Sequence, residues 1–198
     1  MSQKHLNIEQ INGVHVLRLQ SDDGMNRLTT ACILELTNSL DELARHMHAL
    51  IITGNQKFFS AGADLHEIAA LNGPSGLEFS QLGQHLTNSI ECSPFPVCAA
   101  ISGYCMGGGL DLVMACHLRI ASPNAIFGHR GAALGLITGW GGTQRLPRLV
   151  GKPTALQMFV AAEKITASHA LQIGLIKAIA DDPMQYCVNE LGEAHPES

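Results

Sequence analysis

Charge is scarce in this sequence. Asp, Glu, Lys and Arg make up 15% of its 198 residues, and the formal net charge is −5. No long basic run occurs, which argues against a nucleic-acid partner held by a positive patch. Cys-x-x-Cys pairs are missing, and the six cysteines (Cys32, Cys92, Cys98, Cys105, Cys116, Cys187) are scattered, several of them in apolar runs. That distribution suggests buried, reduced thiols and a cytoplasmic setting. The opening residues Met1–Asn7 contain no apolar signal core. Val97–Cys116 is apolar, but glycines and Asp111 interrupt it, so no membrane span is expected. A phosphate-binding P-loop is excluded as well, because Leu146 stands where the glycine before Gly151-Lys152 would be needed. Gly73-Pro-Ser-Gly76 is not the Gly-x-Ser-x-Gly elbow of a serine hydrolase. His46 and His48 have no ligand-spaced companions, so neither a metal nor another cofactor is expected.

Apolar residues and glycine are plentiful instead: 46% hydrophobic residues and 20 glycines. The chain is long enough for one domain with a substantial core, or for a subunit that hides surface in an oligomer. Asn12-Gly13 between alternating segments predicts a β-hairpin. Residues 29–45 carry apolar side chains at helical spacing behind a Thr29 or Thr30 cap. A strand over 48–53 follows, then a break at Gly73–Gly76, a helix from Leu77 to about Ile90, and a strand over 96–102. Short strands are expected near 117–121 and 125–128, and mainly helices after Gly142. Repeated strand–strand–helix turns fit stacked sheets wound as a spiral, with a two-layer α/β sandwich as the competing fold.

The chemistry concentrates at two junctions. Ile101-Ser-Gly-Tyr-Cys-Met-Gly-Gly-Gly-Leu-Asp111 runs from a strand through consecutive glycines into an apolar helix. Each glycine inside a helix costs roughly 1 kcal/mol relative to Ala, so the cluster needs another reason. Without a Cβ the backbone N–H groups can approach a ligand, and a helix start carries unpaired N–H groups and partial positive charge. Such a place suits a developing oxyanion; tight helix–strand packing is the alternative. The second junction is Leu50-Ile-Ile-Thr-Gly54 leading to Phe59-Ser-Ala-Gly-Ala-Asp-Leu65.

Three segments, Phe59–Leu65, Gly103–Gly109 and Leu134–Pro147, resemble in order the motifs of the crotonase superfamily, the enoyl-CoA hydratase/isomerase family. The resemblance implies a spiral of stacked β-β-α units over residues 1–180, with 181–198 as a short C-terminal remnant where relatives continue with more helices. It implies an acyl-CoA substrate, a homo-oligomer (trimer or hexamer), and an oxyanion hole at the backbone N–H groups of Ala63 and Gly108. Contacts to the CoA thioester are implied for Ala61, Asp64, Leu65, His66 and Gly107, with surface placement as the other reading of His66.

Asp111, three residues after Gly108, then lies one helical turn from the carbonyl site and is the expected acid/base, with helix capping as the alternative. Hydratases of the family generally carry Glu there, so Asp reaches less far by roughly 1.5 Å. Their second catalytic Glu falls at Gly131, and no acid stands between Asp111 and Glu163. His129 would face the same side as residue 131 in an extended segment, and is either a proton relay or a polar wall residue. The expected activity is therefore of the enoyl-CoA hydratase/isomerase type. The alternative is a catalytically weak or inactive acyl-CoA-binding homologue that lacks the second carboxylate.

Overall fold

A computed structural model describes residues 4–44 and 47–192. Arg45, expected to end the first helix, and His46 lie outside the described residues, as do residues 193–198 of the C-terminal segment.

Asn12 and Gly13 take positive φ values of 49° and 82°. This is the turn geometry that matches strand twist. It joins β1 (Leu6–Ile11) to β2 (Val14–Leu19) with Ile11 opposite Val14. After β3 (Arg27–Leu28), α1 (Thr30–Leu43) starts where the Thr29 side chain accepts from the Cys32 N–H. Next come β4 (Leu50–Thr53), β5 (Phe58–Ser60), β6 (Gly62–Ala63), α2 (Leu65–Ala69) and α3 (Gly73–Glu91). β7 (Val97–Ile101), β8 (Tyr104–Met106), α4 (Gly108–Ala115), β9 (Leu118–Ala121) and β10 (Ile126–Gly128) follow. A tight helical turn over Ala132–Leu134 leads to α5 (Gly142–Val150) and α6 (Lys152–Ala161). The described chain closes with β11 (Ile165–Thr166), α7 (Ala167–Gln172), β12 (Ala178–Ile179) and α8 (Pro183–Gly192).

Gly73–Gly76 is a helix start rather than a break. The Asn72 side chain accepts from Ser75 N–H while Ser75 Oγ accepts from Asn72 N–H, and Pro74 sits in the first turn. This reciprocal cap satisfies two helix-end donors, and proline is tolerated where no intrahelical bond is lost.

Among the described residues the strands form three sheets: β1-β2-β4-β7-β9-β12, β11-β10-β8-β5, and β3-β6. β4, β7 and β9 lie side by side in the large sheet, while β5, β8 and β10, which directly follow them, lie in the second. Each chain turn therefore contributes one strand to each layer, which is the expected spiral and not the two-layer sandwich. β7 explains the continuous apolar run at 97–101: all five residues are buried. Val97, Ala99 and Ile101 enter the larger core, shared with α1, α3 and α4, while Cys98 and Ala100 face a smaller core closed by Val188 and Leu191 of α8. A strand covered on both faces loses the polar alternation.

The cysteines need correction. Cys98 and Cys187, 89 residues apart with Cα atoms 6.2 Å apart, form a disulfide between β7 and α8, and Cys92 is exposed. Only Cys32, Cys105 and Cys116 are buried free thiols. Pairing depends on α8 folding back over the sheet, which cysteine spacing does not encode.

Candidate active site

The two glycine corners touch. A Cβ added to Gly62, whose φ is 94°, would stand 3.1 Å from Gly108 N and 2.6 Å from Met106 O, so only glycine lets β6 reach the start of α4. β6 is held from its other side by β3, with Leu28 opposite Ala63. Around the second corner, Gly107 N–H donates to Gly128 O at 2.9 Å and Asp111 N–H to Gly107 O at 3.0 Å. Gly108 opens α4, so its N–H has no acceptor within the helix.

α4 is buried along its whole length, which explains its unrelieved apolar sequence. Asp111 is the charged exception, with 2% exposure. Thr138 Oγ1 donates to Asp111 Oδ2. Asp111 Oδ1 lies 3.1 Å from Nε2 of His129, itself 4% exposed. The two atoms are close but misaligned for a hydrogen bond, and neither has another hydrogen-bond partner. Desolvating a carboxylate without full pairing is costly, so this position is poorly explained by packing alone.

Asp111 and His129 open onto a cavity of about 410 Å³. Ala61, Ala63, Gly107 and Gly108 form its polar floor, and Leu65, Ile68, Phe79, Leu136 and Ile137 supply apolar walls. Trp140, 4% exposed, closes one side; Gly108 and Gly83 have no room for a Cβ because its indole fills that space. Its ring stacks at a tilt on Phe79, centroids 5.3 Å apart. Behind it Arg145 fixes the turn by donating to Glu91 Oε2 (2.6 Å), Asn88 Oδ1 (2.7 Å) and Trp140 O (3.2 Å). Burial, with smaller contributions from Cys116 and Asp111, pushes the neighbouring Cys105 thiol far above its usual range, so it is no nucleophile.

Of the residues expected from sequence, Ala61, Ala63, Leu65, Gly107, Gly108, Asp111 and His129 meet in this one cavity. Asp64 and His66 do not line it. Asp64 caps α2, accepting from the N–H groups of His66 (2.8 Å) and Glu67 (3.1 Å), with Arg27 Nε at 3.8 Å. His66 is exposed on α2. Gly131 borders the cavity only with backbone, and a Cβ there would stand 2.8 Å from Leu136 O. Thr138 is the residue that sequence reasoning missed. It lies 27 positions from Asp111, and no spacing rule links the two.

A sequence profile of the enoyl-CoA hydratase/isomerase family matches residues 9–190. The chain belongs to that family. It is 42% identical over 160 residues to a probable enoyl-CoA hydratase of Bacillus subtilis, covering 79% of this chain and 62% of that protein. Against the crotonyl-CoA hydratase of Syntrophomonas wolfei, identity is 39% over 184 residues, covering 90% and 70%. The chain thus spans roughly two thirds of the length of these curated relatives. An enoyl-CoA hydratase structure from Bacillus anthracis superposes with a TM-score of 0.90 at 32% identity, covering 96% of this chain and 76% of that one. Pseudomonas aeruginosa DspI superposes at 0.92 with 31% identity, covering 98% and 81%. Proteins named enoyl-CoA hydratases thus share the fold, and about two fifths of the aligned residues, over most of this chain.

Proposed function

We propose that this protein acts on enoyl-CoA thioesters, with an enolate held by the amides of Ala63 and Gly108 and with Asp111 as acid/base. The observation that carries the proposal is a buried carboxylate on the helix turn next to Gly108, facing a cavity floored by both glycine corners. Proton loss or addition next to a thioester carbonyl places negative charge on the carbonyl oxygen. Donors already fixed at that oxygen favour the charged form over the ground state, by about 3 kcal/mol for a single donor. Asp111 Oδ1 takes a proton from one carbon of the substrate and returns it to another.

Gly131 brings no second carboxylate, so isomerisation of the double bond, which needs one proton carrier, is the reaction favoured here. Hydration needs a base for water and a proton for carbon. His129, 3.1 Å from Asp111, is the second carrier available for it. Ala61, Leu65 and Gly107 belong to the proposed thioester site, and Asp64 and His66 contribute to it only from outside the cavity. Neither helix length nor metal-site geometry adds to the reading: among the described residues no helix is long and apolar enough to cross a membrane, and no three His, Cys, Asp or Glu side chains are grouped so that they could hold a metal ion. Homo-oligomeric assembly is part of the proposal. Leu156 and Val160, one turn apart and exposed on α6, are apolar surface that such an assembly would cover.

Purified protein incubated with 2-enoyl-CoA and, separately, 3-enoyl-CoA tests the activity. Interconversion of the two or formation of a 3-hydroxyacyl-CoA supports it. Binding without turnover of either would favour the inactive acyl-CoA-binding reading, which the missing acid at position 131 motivates.

A further inference from the structure

We infer that Thr138 is a positioning residue that gives Asp111 one working oxygen, an inference that rests on the proposed acid/base role of Asp111. The Thr138 hydroxyl donates to Oδ2, while Oδ1 faces His129 and makes no hydrogen bond of its own. An aspartate has a single rotatable bond beyond Cβ, so holding one oxygen sets the direction of the other. Both side chains rest on Gly142. A Cβ there would overlap Asp111 Oδ1 and stand 2.8 Å from Thr138 Cγ2.

The support for Thr138 is itself rigid on one side. Gly139 O accepts from Gln84 Nε2 at 2.7 Å, and Trp140 O accepts from Thr87 Oγ1 at 3.0 Å. Helix α3 thereby holds the two residues that follow Thr138. Leu136 and Ile137, immediately before it, are exposed. Thr138 is thus the last point at which the exposed loop is tied to the anchored turn.

The chemical consequence concerns where the proton goes. When a C–H bond of the substrate breaks, its proton forms a bond to Asp111 Oδ1 and its electron pair passes into the enolate. Thr138 keeps its own proton throughout and donates to Oδ2 in both states, because a protonated carboxyl still presents an accepting oxygen there. The acquired proton therefore stays on Oδ1, the oxygen beside His129, and can be delivered back to carbon. Without the hydroxyl the carboxylate can turn, and either oxygen can receive the proton.

Exchange of the α-hydrogens of butyryl-CoA in D₂O isolates this proton transfer, and calorimetry measures butyryl-CoA binding beside it. Thr138→Val, which preserves shape, should lower the exchange rate by about tenfold to a hundredfold while the Kd moves by less than about threefold. Thr138→Ser, which restores the hydroxyl, should recover most of the rate. Wild-type exchange in Thr138→Val together with loss in Asp111→Asn overturns the inference while leaving the acid/base role intact. Equal loss of binding and exchange in Thr138→Val, with no recovery in Thr138→Ser, also overturns it, since that is the signature of a packing role. Undiminished exchange in Asp111→Asn removes the reading on which it rests.

Discussion

Substituting Gly142 by alanine is expected to disable the site while leaving the fold almost untouched. The new methyl group would occupy space now held by Asp111 Oδ1 and would stand 2.8 Å from Thr138 Cγ2, whereas ordinary contact begins near 3.4 Å. α4 is buried on every side and cannot move as a unit, so the carboxylate has to swing away by about 1 Å. Misplacement of a reacting group on that scale costs about a hundredfold in rate, or about 2.7 kcal/mol of transition-state stabilisation. Two effects on stability oppose each other. Alanine is the better helix former, by less than the about 1 kcal/mol of a helix interior because Gly142 opens α5, and crowding costs about 1–3 kcal/mol. Gly142 has no positive φ, so no backbone strain is added. The melting temperature should fall by only a few degrees while kcat on the active enoyl-CoA substrate drops about a hundredfold. A kcat within about threefold of wild type would refute the reasoning, because the crowding would then not reach the carboxylate.

Gly131→Glu should not restore hydration: its Cβ meets Leu136 O at 2.8 Å, and the backbone of Leu134 and Leu136 is already bonded to Gly131 O. A loss of about 1–3 kcal/mol in urea unfolding, with no gain in 3-hydroxyacyl-CoA formation, is the expected result. Burial pushes the thiols of Cys32 and Cys116 from 9.0 up to about 12. The unfolded chain therefore loses those protons first, and stability should fall as pH rises from 9 towards 12, by up to about 1.4 kcal/mol per pH unit for each thiol. Cys32→Ala should flatten that decline, and an unchanged slope in the variant would contradict the assignment. Thiol titration should find Cys92 alone reactive in the folded protein, and four free thiols after denaturation without reductant. Six would exclude the Cys98–Cys187 bond.

Much of the fold was readable because local chemistry and tertiary structure agree. Asn12-Gly13 demands its turn, the apolar spacing of 29–45 demands a helix, and the run at 97–101 demands a strand buried on both faces. Gly73–Gly76 misled because Asn72 and Ser75 cap each other, a local signal weaker to the eye than two glycines and a proline. The short strands β5, β6 and β8 carry two or three residues each, too few for any periodicity to show. At the site, the glycine corners and the lone acid of α4 were legible because each violates what a helix or core prefers. Thr138 and the withdrawal of Asp64 into a helix cap were not. Both depend on which loop lies over which helix, and nothing local in the chain records that.

The claim beneath all of this is that two main-chain N–H groups polarise a thioester carbonyl. Infrared difference spectroscopy of an enoyl-CoA labelled at its carbonyl carbon and bound to the protein reads that polarisation without requiring turnover. The carbonyl band should move to lower frequency than in free thioester in water, and should do so in Asp111→Asn as well, since the amides belong to Ala63 and Gly108. A band at or above the free frequency would contradict the account.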